Sequence, residues 1–380
     1  KYNQVLGNFI GTDITGKIKL HSSDWPNILL HGAAYSQIGG SVLGCGPGGR
    51  QPGAMLPGSP ACPGNLISGG GRGIEIIGSS ANNNQVLGNF IGTDITGTQD
   101  LGNEEEGIYI EGASANRIGG SKSGDGNLIS GNDKDGIYIA SQIDGPQATS
   151  NWVQGNWIGT DITGSQALGN ANCGIYIEHA PLSLIGGTQT GAGNLISGNA
   201  CGVYIYLQFS GGASVQGNRI GTDRSGNWAV GNLQSGVIVY DSQQVNIGGK
   251  TSGAGNLISG NGGHGIYVFG RYSWSTIIAG NFIGVDIDGE EKIGNGGDGV
   301  FIEETGFVSI GGTITEGGNL ISGNQGNGIH LYNSDTISVG GNRIGTNWNG
   351  VLNLGNSGSG ILIEQSVDNQ IGGKTEAANT

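Results

Sequence analysis

The residues of this 380-residue chain best equipped for chemistry lie in a recurring phrase, Gly-Ile-Tyr-Ile-Glu, and its variants. If both Ile side chains point inward along a strand, the third and fifth residues point out. The third position then presents Tyr109, Tyr138, Tyr176, Tyr204, Tyr267 and Phe301, and the fifth presents Glu111, Glu178 and Glu303. Aromatic planes stack on sugar rings and carboxylates bond hydroxyls, so this stripe is a candidate carbohydrate surface. It equally fits a packed contact with another subunit, or ring stacking that only stabilises a sheet. Paired carboxylates are also the tools of glycoside hydrolysis, and Glu303 beside Glu304, or Glu111 with Glu178, are the available pairs. On alternate coils of a stack such acids lie ~9.6 Å apart, near the upper limit for an inverting pair and too far for a retaining one. Acids that recur along a stack fit catalysis poorly, because a catalytic pair is singular. A lyase site would need an acidic calcium cluster beside a basic residue, and the seven arginines are scattered along the chain.

A second recurring phrase, Gly-Thr-Asp-Ile-Thr-Gly, places Asp94 and Asp161 in oxygen-rich turns. Asp223 stands in a variant, Asp286 and Asp288 in "GVDIDG", and Asn347 at the last occurrence. Such turns are candidate weak calcium loops, with no other cofactor implied. One or two acids per loop are few for a calcium site, and turn capping by Asp is the competing reading.

Four cysteines occur. Cys45 and Cys62 bracket a Pro/Gly-rich insertion at 41–63, and a disulfide between them would pin that loop as a lid or contact surface. Cys173 and Cys201 each precede a strand-opening Gly, one repeat apart. Equivalent residues on neighbouring coils sit ~4.8 Å apart, within reach of a disulfide. The alternative is a stacked pair of free thiols. Two disulfides imply an oxidising compartment, extracellular or at the cell surface.

The elements that position these residues are legible in the spacing. "GNLISGN" occurs at 126–132, 193–199, 255–261 and 318–324, and the phrase Gly-[Ile/Val]-x-[Ile/Leu/Val] interleaves with it. Short units like 107–135 alternate with long ones like 73–106, so coils of ~29 and ~34 residues are expected. Each unit holds short period-2 apolar runs between Gly/Asn/Ser/Asp turns. Three short strands closing in some thirty residues make one coil of a parallel β-helix, right-handed by the crossover rule. The expected fold is therefore all-β, a single solenoid over 1–380 of about a dozen coils. In the heptad, Leu and Ile should face opposite ways. Asn103, Asn132, Asn170, Asn232, Asn261, Asn295, Asn324 and Asn356 are spaced to form one amide ladder at a corner.

These phrases resemble the right-handed parallel β-helix repeat proteins of the broad pectate-lyase-like superfamily, above all the Gly/Asn-rich surface repeats of large extracellular bacterial proteins. The resemblance runs from Val5 to Gly373. It implies the fold and leaves function open, because lyases, hydrolases, epimerases, adhesins and inert stalks share it.

Composition narrows the classes. Net charge is −14, with 15 basic against 29 acidic residues and no basic cluster, which disfavours nucleic acid. No apolar run is long enough to insert in a membrane. The opening residues already lie inside a repeat, as in a trimmed chain, and strand edges at the two ends invite another chain. The preferred expectation is a non-catalytic extracellular structural protein that polymerises head to tail with itself. A polysaccharide-binding or polysaccharide-degrading β-helix enzyme is the alternative.

Overall fold

Glycine, asparagine, threonine and β-branched residues disfavour helix throughout this chain. The computed structural model describes residues 2–20, 25–42, 44–47, 62–142, 144–206, 211–312 and 317–372. Among these residues there are strands and turns and no α-helix, so no helix is long and apolar enough to cross a membrane.

The chain divides into two units, Lys1–Ala200 and Cys201–Thr380. Each is a stretch of right-handed parallel β-helix. In the first unit the four-residue strands Ile74–Ile77, Ile108–Glu111 and Ile137–Ala140 stack in register, Ile74 on Ile108 on Ile137. The three-residue strands Gln85–Leu87, Arg117–Gly119 and Trp152–Gln154 form a second sheet. The pairs Phe90–Ile91, Leu128–Ile129 and Trp157–Ile158 form a third. The second unit repeats the plan, with Ile266–Phe269, Val300–Glu303 and Ile329–Tyr332 stacked in the sheet that bears the Gly-Ile-x-Ile phrase. Inward residues such as Ile108, Ile110, Ile118 and Ile129 are wholly buried. Each such side chain contributes about 1.5 to 3 kcal/mol of hydrophobic stabilisation.

The heptad alternates as expected, yet both of its apolar residues are covered. Leu128 and Ile129 are both fully buried. Ile129 faces the interior, while Leu128 packs outside it with Leu66, Phe90, Ile95, Trp157 and Ile162. The cover is the Gly-Thr-Asp loop, a small hairpin closed by bridges such as Thr93 to Asp100 and Thr160 to Ala167. Successive hairpins hydrogen-bond to each other, Ile95 N–H to Gly16 O at 2.8 Å and Ile162 N–H to Gly97 O at 2.9 Å. They roof the outer face of the third sheet, so parity alone did not decide burial. Gly126 is needed because a Cβ there would overlap the Gly155 carbonyl oxygen. Gly131 sits at φ +76, where the coil bends.

The expected amide ladder exists, and among the described residues it is one of three. In the first unit Asn27, Asn103, Asn132, Asn170 and Asn199 link Nδ2 to Oδ1 at 2.7–3.0 Å. Asn232, Asn261, Asn295, Asn324 and Asn356 do so in the second. A second ladder runs Asn8, Asn65, Asn89, Asn127, Asn156 and Asn194 in the first unit. A third links Asn84, Asn116 and Asn151.

Cys45 and Cys62 form a disulfide with Cα atoms 5.6 Å apart. Cys173 and Cys201 are disulfide-bonded as well, and no described cysteine is free. The body of the expected lid, 48–61, lies outside the described residues.

Asn127 shows what a ladder member does. Its Nδ2 donates to Asn156 Oδ1 and to Val86 O, each at 2.8 Å, and its Oδ1 accepts from Asn89. Asn127→Ala strands these buried partners and should destabilise the protein by about 2 kcal/mol. A lower midpoint in urea, against an unchanged midpoint for an exposed control such as Asn227→Ala, checks this.

Candidate functional site

The outward positions of the Gly-Ile-x-Ile sheet gather the titratable side chains. In the first unit, Tyr109, Tyr138 and Tyr176 occupy successive coils and meet edge to face, with centroids 5.3 and 4.9 Å apart. The Tyr109 hydroxyl donates to Glu111 at 3.2 Å, and Tyr138 donates to Glu178. Burial first, and then these carboxylates, push both phenols well above their usual range, so they stay protonated donors. Glu111 and Glu178 lie two coils apart with Ala140 between them in register.

A column that the sequence reading passed over stands beside these rings. It is the residue immediately before each strand-opening Gly: Arg72, Glu106 and Asp135 in this unit. Arg72 reaches Glu75 at 2.6 Å, Glu106 at 2.8 Å and Glu105 at 3.0 Å, and its guanidinium lies 3.9 Å from the Tyr109 ring centroid. Lys134 joins Glu105 at 3.1 Å. The arginines are therefore not all remote from acids; stacking brings Arg72, already beside Glu75 on its own coil, against Glu105 and Glu106 of the next. Burial would lower the Arg72 pKa, but its hydrogen bond to Glu106 and the charges of Glu106, Glu105 and Glu75 outweigh that and raise it. Asp135 is 8 % exposed, and burial raises its carboxyl to about 6 against the bond it accepts from Cys173 N–H at 2.9 Å.

The second unit puts different chemistry at the same places. Its third positions include Tyr204, Tyr267, Phe301 and His330, its fifth positions Glu303 and Glu364, and its pre-glycine positions His264, Asp298 and Asn327. Tyr267, Phe301 and His330 stack nearly parallel, with successive centroids 5.2 and 4.7 Å apart. Tyr267 donates to Glu303, and burial followed by that carboxylate raises its phenol. His330 has Nδ1 3.3 Å from Asp298 and Nε2 2.9 Å from Glu364. The Asp298 carboxylate also accepts from the Asn327 amide at 2.8 Å. His264 Nδ1 accepts the Asp298 backbone N–H at 3.0 Å, a shorter contact than its 3.5 Å approach to the Asp298 carboxylate. An accepting Nδ1 is an unprotonated one, and burial lowers the His264 pKa in the same sense.

No family model matches the chain, and no curated protein matches it. Among solved structures it is similar to a double mutant of the periplasmic alginate epimerase AlgG, with 13% identity and a TM-score of 0.49 over 95% of this chain and 80% of that one. It is similar to the Dettilon tailspike protein at 15% identity and a TM-score of 0.39, over 95% and 56% of the two chains. PfbA, a surface adhesin of Streptococcus pneumoniae, gives 11% and 0.28 over 97% and 79%. At these values the likenesses carry no argument about the face.

The Asp loops are built as caps. Asp94 Oδ1 accepts the N–H groups of Thr98 and Gln99, both at 3.0 Å, and the Thr96 hydroxyl. Asp161, Asp223 and Asp286 make the equivalent backbone bonds. Asp288 is exposed at the rim of its hairpin. Asn347 Oδ1 accepts from Val351 and Leu352 in the same way, so an amide oxygen suffices. Among the described residues no cluster of three His, Cys, Asp or Glu is placed to hold a metal ion.

Two outcomes are expected. Because the Asp135 carboxyl is raised from 3.8 to about 6, the fold favours its protonated form. That contribution is complete below about pH 4 and lost as pH rises through 6, amounting to at most roughly 3 kcal/mol. Asp135→Asn keeps the acceptor for Cys173 and should be more stable than the parent at pH 8 and equal to it at pH 4, as urea midpoints at the two pH values will show. For the caps, thermal unfolding with and without excess chelator should coincide, and Asp94→Asn should change the unfolding free energy by less than about 1 kcal/mol.

Proposed function

We propose that the protein is a non-catalytic carbohydrate-binding β-helix whose Gly-Ile-x-Ile face takes a neutral polysaccharide. The observation behind this reading is the column of half-buried rings in each unit, flanked by carboxylates that tyrosine hydroxyls hold in place. Ring bodies offer apolar surface to the C–H faces of sugars. Glu111, Glu178 and Glu303 each accept one phenol and keep further lone pairs for ligand hydroxyls, as charge-assisted bonds. Holding the carboxylates beforehand reduces the entropy lost on binding. The coil step repeats the same contact along the axis, which suits a polymer better than a small molecule.

Charge selects within that class. The face is acidic in both units, and the chain carries −14 overall. Such a field repels polyuronates and admits neutral glycans. The disulfides support an oxidising, extracytoplasmic setting.

Affinity electrophoresis in gels containing mixed-linkage β-glucan, galactomannan or starch, with polygalacturonate as the anionic control, tests the reading. At least one neutral polymer should retard the protein and polygalacturonate should not. Tyr138→Ala combined with Tyr267→Ala should weaken retardation at least about tenfold, or 1.4 kcal/mol. Absence of retardation by every neutral polymer, together with polymers of the protein in sedimentation, would replace this reading with head-to-tail self-assembly. Release of sugar products would replace it with a polysaccharide-degrading enzyme.

A further inference from the structure

At the end of the face in the second unit, where the strands Val300–Glu303 and Ile329–Tyr332 turn the corner, lies an open hollow of about 330 Å³. Phe307, Glu304, Arg271, Asn333 and Asp335 surround it, with Thr305 among its walls. The geometry points to a second site here, one that takes a single neutral sugar ring, separate from the polymer-binding face and independent of it.

Two features argue for a ligand. The first is Thr305. It is 7% exposed, and its Oγ1 is buried with no hydrogen-bond partner. Residues at the same place on other coils are satisfied: Ser242 donates to Tyr240 O at 2.7 Å, Ser334 to Tyr332 O at 2.9 Å and Ser366 to Glu364 O at 2.8 Å. A buried hydroxyl left unpaired is costly, and turning the Thr305 side chain about χ1 toward the hollow it lines would offer that hydroxyl to a ligand. Glu304 and Phe307 hold φ of 52 and 57 as the corresponding corner residues do on other coils, Asp241 and Gln244 at 43 and 56 and Gln365 and Asp368 at 50 and 56, so this turn belongs to the scaffold and only its side chains are particular to the hollow.

The second is the chemistry of the rim. Phe307 is 67% exposed, an apolar plane with nothing over most of its surface. Asp335 Oδ1 already accepts the Val367 N–H at 2.7 Å, which fixes the carboxylate and leaves its second oxygen for a hydroxyl. Glu304 and Asp335 accept, Arg271 donates, and Asn333 does both. One aromatic plane with mixed donors and acceptors on the sides matches a sugar ring, which is apolar on its faces and hydroxylated around its edge. Two carboxylates against one guanidinium disfavour an anionic sugar.

Saturation-transfer NMR with the methyl glycosides of glucose, mannose and galactose at millimolar concentration tests this on the whole chain. At least one should give saturable transfer. Phe307→Ala, a change at an exposed side chain, should weaken it at least tenfold. Thr305→Val should weaken it several-fold, with Thr305→Ser restoring it. Absence of saturable transfer from all three glycosides, or transfer unchanged in Phe307→Ala, overturns the site. Polymer retardation in Phe307→Ala should match the parent, so failure of the hollow and failure of the face are read separately.

Discussion

The fold depends on one repeated bond: an asparagine Oδ1 that accepts both the backbone N–H and the Nδ2–H of the asparagine one coil before. Asn156 does this for Asn127, and Asn194 for Asn156, at 2.8–3.1 Å. Corners of a coil are where the strand ladder stops and backbone groups lose their partners. Buried there without partners they would destabilise every coil. The amide ladder supplies a donor and an acceptor at each step and fixes the register, because slipping one residue would strand a whole column. Glycine then follows as a requirement. Backbones brought this close at the corners leave no space for a Cβ, as at Gly126.

With corners and core fixed this way, variation is confined to outward positions. The inward Ile, Leu and Val are nearly interchangeable between coils, so they say little about function. Third, fifth and pre-glycine positions differ from coil to coil, and they differ between the two units. The first unit places Arg72 and Lys134 among Glu75, Glu105, Glu106 and Asp135. The second places His264 and His330 around Asp298. Where every coil is built alike, such differences cannot be scaffold requirements, because the scaffold folds with either set.

The strands and their stacking were readable because period-2 runs and fixed spacing are local signals. So was the facing of Tyr109, Tyr138 and Tyr267. The pre-glycine column was not. Its residues stand at the corner, where parity breaks, and they are chemically unlike: Arg72, Glu106, Asp135, Cys173. Only stacking shows that they form one column, and the cysteines drew attention to the position for another reason. Asn199 was missed in its ladder because it falls three residues before the strand Gly, where most members fall four before. The opposite facing of Leu128 and Ile129 was readable, but the burial of Leu128 was not, because alternation gives the side of the sheet and not what covers it; the roof comes from the Gly-Thr-Asp hairpins. The Thr305 hollow had little sequence signal: a threonine stands where Ser242, Ser334 and Ser366 stand on other coils, and nothing local says that its hydroxyl lacks their carbonyl partner.

The acidity of both units bears on what such a surface binds. A carboxylate that accepts a phenol, as Glu178 does from Tyr138, is oriented and partly neutralised without a cation. Surfaces that bind polyanions work the other way, with basic groups free to meet charge. Here Arg72 and Lys134 are already held by glutamates, Arg72 at 3.0 Å or less and Lys134 at 3.1 Å. Releasing either would leave glutamates unpaired, at a cost of several kcal/mol for those that are buried. An anionic ligand would have to meet that cost before gaining anything. A hydroxylated neutral one would not, because it can donate to the remaining lone pairs and leave every ion pair intact. On the proposed reading, the same bonds that hold the face together also set its selectivity.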